Sequence, residues 1–332
     1  MPLDRHARRF LEMLAAAGEA RGRYDDVQER RSALTNLADL VDPPGTMEIG
    51  GMRDHLVAVD TGHITLRVYS PLGEPARVLP GILFFHGGGW VAGDLETHDG
   101  LCRRLCNETG CRVIAVDYRL APEHPFPYGL ADAITALNHV SRNPKTFGVD
   151  PARLGVAGDS AGGTLAAVLC RIARDAGGPP IAFQLLLCPI LDVHGESAAR
   201  RELAEGYFLD SETLRRDLEL YVPQGIELSD MRLSPLCAEE FACLPMAFIH
   251  TGQFDPFGDE GEDYAQRLGG FGVSVHGRAH PGMIHYFYCM PRMIPYAYEA
   301  IRIIGSEIRY AVNLPQAERR FHRRIRPELI RA

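Results

Sequence analysis

Residues 154–165, LGVAGDSAGGTL, decide the fold, and the pentapeptide GDSAG at 158–162 matches the pattern G-x-S-x-G. A short apolar run precedes the motif, and a longer apolar segment typical of a packed helix follows it. A strand, a tight turn and a helix would push the Ser160 hydroxyl out of the sheet, with glycines where the chain passes close to itself. The alternative is a glycine-rich turn with a serine helix cap, and the rest of the chain decides between the two.

Length and composition are those of an ordinary globular protein. The chain has 332 residues, 46% hydrophobic and 23% charged, with a formal net charge of -8. The acidic balance argues against nucleic acid as a partner. No apolar run approaches the ~18 residues of a membrane span, so stable membrane insertion is not expected. The 8 cysteines contain no C-x-x-C pair and the first residues do not resemble a secretory signal, so we expect free thiols and a cytoplasmic protein.

Strand and helix patterns alternate along most of the chain. Short apolar runs, typical of buried strands, are separated by helical segments from about residue 46 onward. This alternation predicts an α/β fold with a mostly parallel central sheet and helices on both faces. Residues 55–60 and 64–69 instead alternate with period two around a short turn, which predicts an antiparallel pair.

A second glycine cluster, HGGGW at 86–90, follows one of the predicted strands. Glycines there leave backbone N–H groups open to a ligand oxygen. The N–H groups of Gly87, Gly88 and Ala161 would form an oxyanion hole. Acyl transfer needs such a site because negative charge builds up on the carbonyl oxygen.

A nucleophilic serine needs a base, and the base needs a carboxylate to orient it. Asp255 stands just after a predicted strand, and His285 lies in a loop between the last strand and a helix. The chain order Ser160, Asp255, His285 is that of α/β-hydrolases.

Other residues compete for these roles. His280 is a second candidate base, and Asp259 and Glu260 are alternative acids at the predicted start of a helix. We expect His86 to brace the glycine loop and Asp159 to hold neighbouring loops together. The sequence has no H-E-x-x-H and no paired Cys/His spacing, so neither a metal nor another cofactor is expected.

Four motifs together resemble the hormone-sensitive lipase-like (family IV) bacterial carboxylesterases: HGGGW, GDSAGG, DPFGDEG at 255–261 and GMIH at 282–285. The segments YRLAPE at 118–123 and SPL at 234–236 are also similar to that family. The resemblance spans about residues 81–287 and implies an α/β-hydrolase fold with a helical cap. It also implies the catalytic residues and oxyanion donors proposed above: Ser160, Asp255, His285, Gly87, Gly88 and Ala161.

The patterns and the resemblance divide the chain into four parts. Residues 46–192 and 233–313 are predicted to form the catalytic domain, residues 1–45 an N-terminal helical cap segment, and residues 193–232 a helical cap insertion. Residues 314–332 form a basic tail outside the resemblance. A plain surface insertion and a solvated arm are the alternatives for the insertion and the tail.

We expect the cap to close the substrate pocket. The candidate lining residues are Trp90, Asp159, Tyr207, Phe208 and Tyr286. Tyr286 stands where the family usually has glycine after the histidine, a departure that affects the shape of the pocket rather than the triad.

The resulting hypothesis is a serine carboxylesterase that hydrolyses short-chain acyl esters through an acyl-enzyme. The same residues serve amide, carbamate or lactone hydrolysis, and the sequence does not separate these substrates. A non-catalytic small-molecule receptor of the same fold, similar to the gibberellin receptors, is the alternative from another class. Those receptors have lost the triad histidine, whereas His285 is present here. The expected partner is a small ester, and a homodimer stays open.

Overall fold

The structure, a computed structural model, describes residues 1–17, 24, 26–73 and 77–313. Within these residues one 8-stranded sheet has the order β1-β2-β4-β3-β5-β6-β7-β8. The strands are β1 Gly51–Val59, β2 Gly62–Ser70, β3 Leu79–Phe85, β4 Arg112–Asp117, β5 Val149–Asp159, β6 Phe183–Leu187, β7 Met246–Phe254 and β8 Val275–Ile284. The pairs β1–β2 and β2–β4 are antiparallel and the other neighbours are parallel, which confirms the predicted fold class.

Helices cover both faces of the sheet. They are α1 Arg5–Ala17, α2 Val27–Val41, α3 Asp99–Thr109, α4 Tyr128–Arg142, α5 Pro144–Phe147, α6 Ala161–Asp175, α7 Ala198–Glu202, α8 Ser211–Tyr221, α9 Gly258–Gly270 and α10 Tyr296–Asn313. Alternate residues of β3 enter opposite cores, because successive strand side chains point to opposite faces. Leu83 and Phe85 pack in the core that includes α4 and α6. Ile82 and Phe84 pack in the core that includes α3 and α10.

The predicted hairpin is confirmed: β1 and β2 pair along their whole length, from Gly51 opposite Ser70 to Val59 opposite Gly62. The last helix begins later than the apolar pattern of its sequence indicates. The apolar pattern begins at Pro291, but α10 begins at Tyr296, directly after Pro295. Proline lacks an N–H and is tolerated only in the first turn of a helix, so the regular helix begins beyond the second proline.

The segments predicted to form the cap are helical. Residues 1–45 contain α1 and α2, and residues 193–232 contain α7 and α8. The division of the chain into domains stays a prediction, and the basic tail at 314–332 lies outside the described residues. None of the helices in the described part of the chain has the length and apolar character to cross a bilayer.

Candidate active site

Ser160 occupies the tight turn between β5 and α6. Its backbone has φ 52° and ψ -119°, a conformation that non-glycine residues rarely adopt. A Cβ on Gly158 would overlap the carbonyl oxygen of Gly162, and a Cβ on Gly162 would overlap that of Phe85. The two motif glycines are therefore required by close backbone contacts, which favours the nucleophile elbow over a simple helix cap.

Three side chains from different loops form one hydrogen-bonded chain. Ser160 Oγ lies 3.1 Å from His285 Nε2, and His285 Nδ1 lies 3.0 Å from Asp255 Oδ1. All three residues are buried. Asp255 directly follows β7 and His285 directly follows β8, so adjacent parallel strands deliver both to the same edge of the sheet. This is the arrangement of a Ser-His-Asp triad.

The Asp255 carboxylate is held in its charged form. Burial raises the pKa of this carboxyl, but the charge and hydrogen bond of His285 outweigh burial, and the net pKa lies below the usual 3.8. The Phe257 N–H also donates to Asp255 Oδ1 at 2.9 Å. A negative Asp255 orients the imidazole and stabilises the imidazolium that forms during proton transfer.

Cys188 lies beside Asp255 and His285, and its thiol is buried. The sequence analysis did not identify this residue. Its Sγ, a carboxylate oxygen of Asp255 and a ring nitrogen of His285 all lie within 4.8 Å of one another. Burial and the Asp255 charge raise the pKa of Cys188 well above its ordinary value, so the thiol is neutral. Metal ligation requires a thiolate, and Asp255 and His285 already bond each other, so these residues fit a triad better than a metal site. The sequence did contain a signal for this position, because Cys188 directly follows an apolar run that predicts a strand.

One expected oxyanion donor is wrong. The Gly87 N–H donates to Asp159 Oδ1 at 2.9 Å, so it is already used within the protein. Gly88 and Gly89 line the cavity at Ser160. Within the described residues, the N–H groups of Gly88, Gly89 and Ala161 donate to no protein acceptor. Gly89, the third glycine of the same motif, is therefore a better candidate than Gly87 for the third donor.

Asp159 and His86 brace the glycine loop, as expected. Besides binding Gly87, Asp159 pairs with His98 Nε2 at 3.3 Å. His86 Nδ1 lies 2.8 Å from the Gly87 carbonyl oxygen, and its ring stacks on Tyr118. These contacts connect the elbow to the loop that follows β3.

The competing acids and base lie in other networks. His280 bonds His250 and Tyr296 through its two ring nitrogens, at 3.1 Å each. Asp259 accepts from a backbone N–H of α7, and Glu260 accepts from the backbone N–H groups of residues 191 and 192. Neither acid bonds His285, which leaves Asp255 as the partner of that ring.

A cavity of about 550 Å³ opens above Ser160 and His285. Its walls are mainly apolar side chains from both predicted cap segments. They include Leu11 and Leu14 of α1, Leu34 and Leu37 of α2, Phe208 and Leu209 before α8, and Leu214 within it. Such a cavity suits an apolar substrate group, which would displace water from the reacting atoms when it binds.

The structure brings three of the five candidate pocket residues to this cavity. Asp159, Phe208 and Tyr286 line it, and the rings of Phe208 and Tyr286 stack with centroids 5.7 Å apart. Tyr286 has φ 64°, a backbone conformation that favours glycine and that fits the glycine usual at this position in the family.

The prediction that Trp90 and Tyr207 line the pocket is wrong, since neither residue lines the cavity. Trp90 is 1% exposed, and its ring stacks on Tyr221 of α8 with centroids 4.7 Å apart, so it belongs to the core. Tyr207 stacks on Phe254 at 5.5 Å instead of facing the cavity. Both aromatic side chains are used in packing the cap against the sheet.

Comparisons with known proteins show the family of the chain. A family model described as the alpha/beta hydrolase fold matches residues 82–289. The carboxylesterase NlhH of Mycobacterium tuberculosis is 38% identical over 273 residues, which cover 81% of this chain and 85% of that protein. The ethyl acetate hydrolase of Pseudomonas putida is 33% identical over 306 residues, covering 90% and 92%.

A solved structure is also similar. It is the ester-hydrolase EH1AB1 from the metagenome of Lake Arreo, in complex with a derivative of bipyridine phosphonate. The TM-score is 0.88 at 41% sequence identity, over 94% of this chain and 100% of that one. The chain belongs to the alpha/beta hydrolase fold family and is a carboxylic ester hydrolase of the hormone-sensitive lipase-like group.

Proposed function

We propose that this protein hydrolyses short-chain acyl esters by forming an acyl-enzyme on Ser160. The observation that carries the proposal is the hydrogen-bonded chain from Ser160 through His285 to Asp255 at the floor of an apolar cavity. Serine and histidine are already within the distance needed for proton transfer, so the nucleophile is pre-activated.

In the first half of the reaction, His285 Nε2 takes the proton of Ser160 as Oγ attacks the ester carbonyl carbon. The carbonyl π electrons move to the oxygen, which becomes the oxyanion of a tetrahedral intermediate. The N–H groups of Gly88, Gly89 and Ala161 are the proposed donors to this oxygen. The intermediate collapses, the C–O bond to the alcohol breaks, and the imidazolium gives its proton to the leaving alkoxide.

In the second half, water replaces the alcohol. His285 takes a proton from the water as its oxygen attacks the acyl carbon. The second tetrahedral intermediate collapses, the bond between the acyl carbon and Ser160 Oγ breaks, and the His285 imidazolium gives its proton to Oγ, which frees the carboxylic acid. Asp255 stays ionised throughout and keeps the ring in the tautomer that accepts at Nε2.

The preference for a short acyl chain is supported by the walls of the cavity. The stacked rings of Phe208 and Tyr286 occupy space beside the triad. Ethyl acetate, the substrate named for one relative, is an ester with a short acyl group. Lactones, carbamates and activated amides are the competing substrates for the same residues.

The cap division, the cellular location and the assembly belong to the same proposal. We place α1, α2, α7 and α8 in a cap over the catalytic domain, because α1, α2 and α8 contribute walls of the cavity and α7 precedes α8 in the same insertion. All 8 cysteines are free thiols, which supports a reducing cytoplasm. The molar mass measured by analytical ultracentrifugation would show whether the protein forms a homodimer.

The test is covalent trapping of the nucleophile. A fluorophosphonate probe should label the wild-type protein on Ser160 and leave Ser160→Ala unlabelled. Burst kinetics with p-nitrophenyl acetate should give one equivalent of p-nitrophenol per active site when deacylation is slow. A protein that turns over no ester and accepts no probe would contradict the proposal, and a higher kcat/KM for a matched amide, carbamate or lactone would redirect it.

A further inference from the structure

The buried carboxylate of Asp217 lies against the glycine loop of the site. Asp217 belongs to α8 in the cap insertion and is 3% exposed. A Cβ on Gly89 would overlap its Oδ2, so the carboxylate rests directly on the Gly89 backbone. Gly89 has φ 66° and is one of the proposed oxyanion donors, and both residues line the cavity above Ser160.

Arg30 neutralises this carboxylate from the other cap segment. Arg30 Nη2 donates to Asp217 Oδ2 at 3.0 Å, and Nε donates to Oδ1 at 3.3 Å. In the part of the chain that the structure describes, Asp217 has no other hydrogen-bond partner. The guanidinium also lies over the Tyr24 ring, with its central carbon 5.5 Å from the ring centroid. The bidentate pair therefore joins α2 to α8 at the point where the cap meets the glycine loop.

A bare carboxylate at this position would oppose the reaction. The transition state places negative charge on the oxygen bound by the glycine loop, and like charges repel strongly in a water-poor cavity. We propose that Arg30 and Asp217 are positioning residues for the reaction at Ser160: the carboxylate fixes the Gly89 backbone, and the guanidinium cancels its charge. This inference rests on the proposed esterase activity.

The protonation of Asp217 provides a pH-dependent test of this proposal. Burial raises the pKa of Asp217, and the Arg30 charge opposes that effect. Besides the two partners, the titratable and charged groups that line the cavities at this pair are Tyr24, Asp26, Glu29, Asp159, Asp210, Arg216, Glu219, His285 and Tyr286. With Arg30 removed, no cation among them bonds Asp217. The pKa of Asp217 should then rise further, because its charge is no longer compensated.

The decisive variant is Arg30→Met, measured as the ratio of its kcat to that of wild type across pH 5 to about 9. Loss of one oxyanion donor costs about 10²–10³ in kcat, and we expect a smaller loss here, about 10–100-fold at high pH. The ratio should recover toward acid pH, where Asp217 is protonated and its repulsion disappears. Arg30→Met/Asp217→Asn should restore kcat at high pH, since the carboxylate is absent.

Arg216→Met is the matched control. Arg216 also connects α8 to the segment before α2, through a bond from Nη1 to the Tyr24 carbonyl oxygen at 2.6 Å, but it does not bond Asp217. A loosened cap would change KM in both arginine variants, whereas charge compensation changes kcat and its pH dependence only when Arg30 is lost. Arg30→Gln tests the same charge if Arg30→Met does not fold.

Wild-type turnover and probe labelling are measured first, so that failure of the proposed function is recognised separately. With an active wild type, a ratio that does not vary with pH would overturn the inference. A double variant as impaired as the single variant would overturn it as well. A pH-dependent loss that the second substitution removes would support it.

Discussion

At the residue scale, the backbone of Ser160 determines what its hydroxyl can do. The residue has positive φ although it carries a side chain, and the close backbone contacts of Gly158 and Gly162 hold it there. The strain is maintained by β5 and α6, so the Oγ position does not depend on substrate binding. Preorganisation of this kind saves the entropy of positioning the nucleophile during the reaction.

Ser160→Ala should lower kcat by a factor on the order of 10⁶, because members of a triad act as one unit. His285→Ala should cost about as much, and Asp255→Asn about 10⁴. The measurement is kcat/KM for p-nitrophenyl acetate. His280→Gln is the control, because His280 bonds His250 and Tyr296 instead of the triad. Near-native turnover of His285→Ala, together with loss of turnover in His280→Gln, would contradict the assignment.

The acid limb of the pH profile should contain a single ionisation above about pH 4. The base must be neutral to accept the serine proton, so kcat/KM rises with pH. Asp255 adds no second step in this range, because its pKa lies below 3.8 and it is ionised throughout. Initial rates from pH 4.5 to about 9, with enzyme stability checked at each pH, make the test. A limb with slope two would show that a carboxylate titrates as well.

The triad was predictable because each member sits in a local pattern. G-x-S-x-G marks Ser160, and Asp255 and His285 each follow an apolar run that predicts a strand. The error at Gly87 was not visible in the sequence, since it depends on Asp159 reaching across from the elbow to occupy the Gly87 N–H. Cys188 was missed for the same reason: its neighbours are brought together only by the order of β6, β7 and β8.

At the element scale, α2 is held to the glycine loop by more than apolar packing. Arg31 Nε donates to the Val91 carbonyl oxygen at 2.9 Å, and Nη2 donates to that of Ala121 at 3.0 Å. Val91 follows directly after HGGGW. Helix α2 therefore donates to backbone acceptors of the catalytic loops while its leucines face the cavity.

Phe208→Ala should shift the substrate preference toward longer acyl chains. The Phe208 ring lines the cavity and stacks on Tyr286, so its removal lengthens the space beside the triad. An apolar pocket contact is worth about 1–3 kcal/mol in specificity. The measurement is kcat/KM for p-nitrophenyl esters of increasing chain length.

Tyr207→Ala is the matched control for this change, because the neighbouring Tyr207 ring packs on Phe254 outside the cavity. It should leave the order of preference unchanged. An identical order and steepness in Phe208→Ala and wild type would show that Phe208 does not set the acyl length.

Elements with a regular apolar period were predictable, whereas the contacts of the insertion were not. The alternation of Leu83 and Phe85 with Ile82 and Phe84 follows directly from strand geometry. Trp90 and Tyr207 were assigned to the pocket because of their size and position in the chain. The surface that each ring covers depends on how α8 and the segment before it pack on the sheet, which the sequence does not specify.

At the scale of the whole molecule, a buried histidine pair lies between the sheet and α10. His250 of β7 and His280 of β8 are both fully buried, and His250 also faces Glu307 of α10 at 2.9 Å. Burial lowers the pKa of His280 to about 2, with the charge of His250 and Arg278 acting in the same direction. The folded protein therefore keeps His280 neutral at pH values where the unfolded chain protonates it.

Acid should therefore destabilise the fold through His280. Below about pH 6.5 the unfolded state binds a proton at His280 that the folded state does not bind. The free energy of unfolding then falls by about 1.4 kcal/mol per pH unit. The check is the free energy of unfolding in urea at pH 7, 6 and 5. The stability of wild type relative to His280→Gln should fall by nearly that amount from pH 6 to about 5, and by about half of it from pH 7 to 6. Parallel stability curves for the two proteins would contradict the prediction.

The start of the chain touches the approach to the triad. The Asp4 N–H donates to the Gly282 carbonyl oxygen at 3.0 Å, three residues before His285. During synthesis at about 5–20 residues per second, α1 leaves the ribosome on the order of half a minute before β8 exists. The contact between Asp4 and Gly282 forms only then, whereas Phe10 of α1 can pack earlier on Phe208. A bulky fusion placed before Met1 would therefore lie close to the loop that holds the catalytic base.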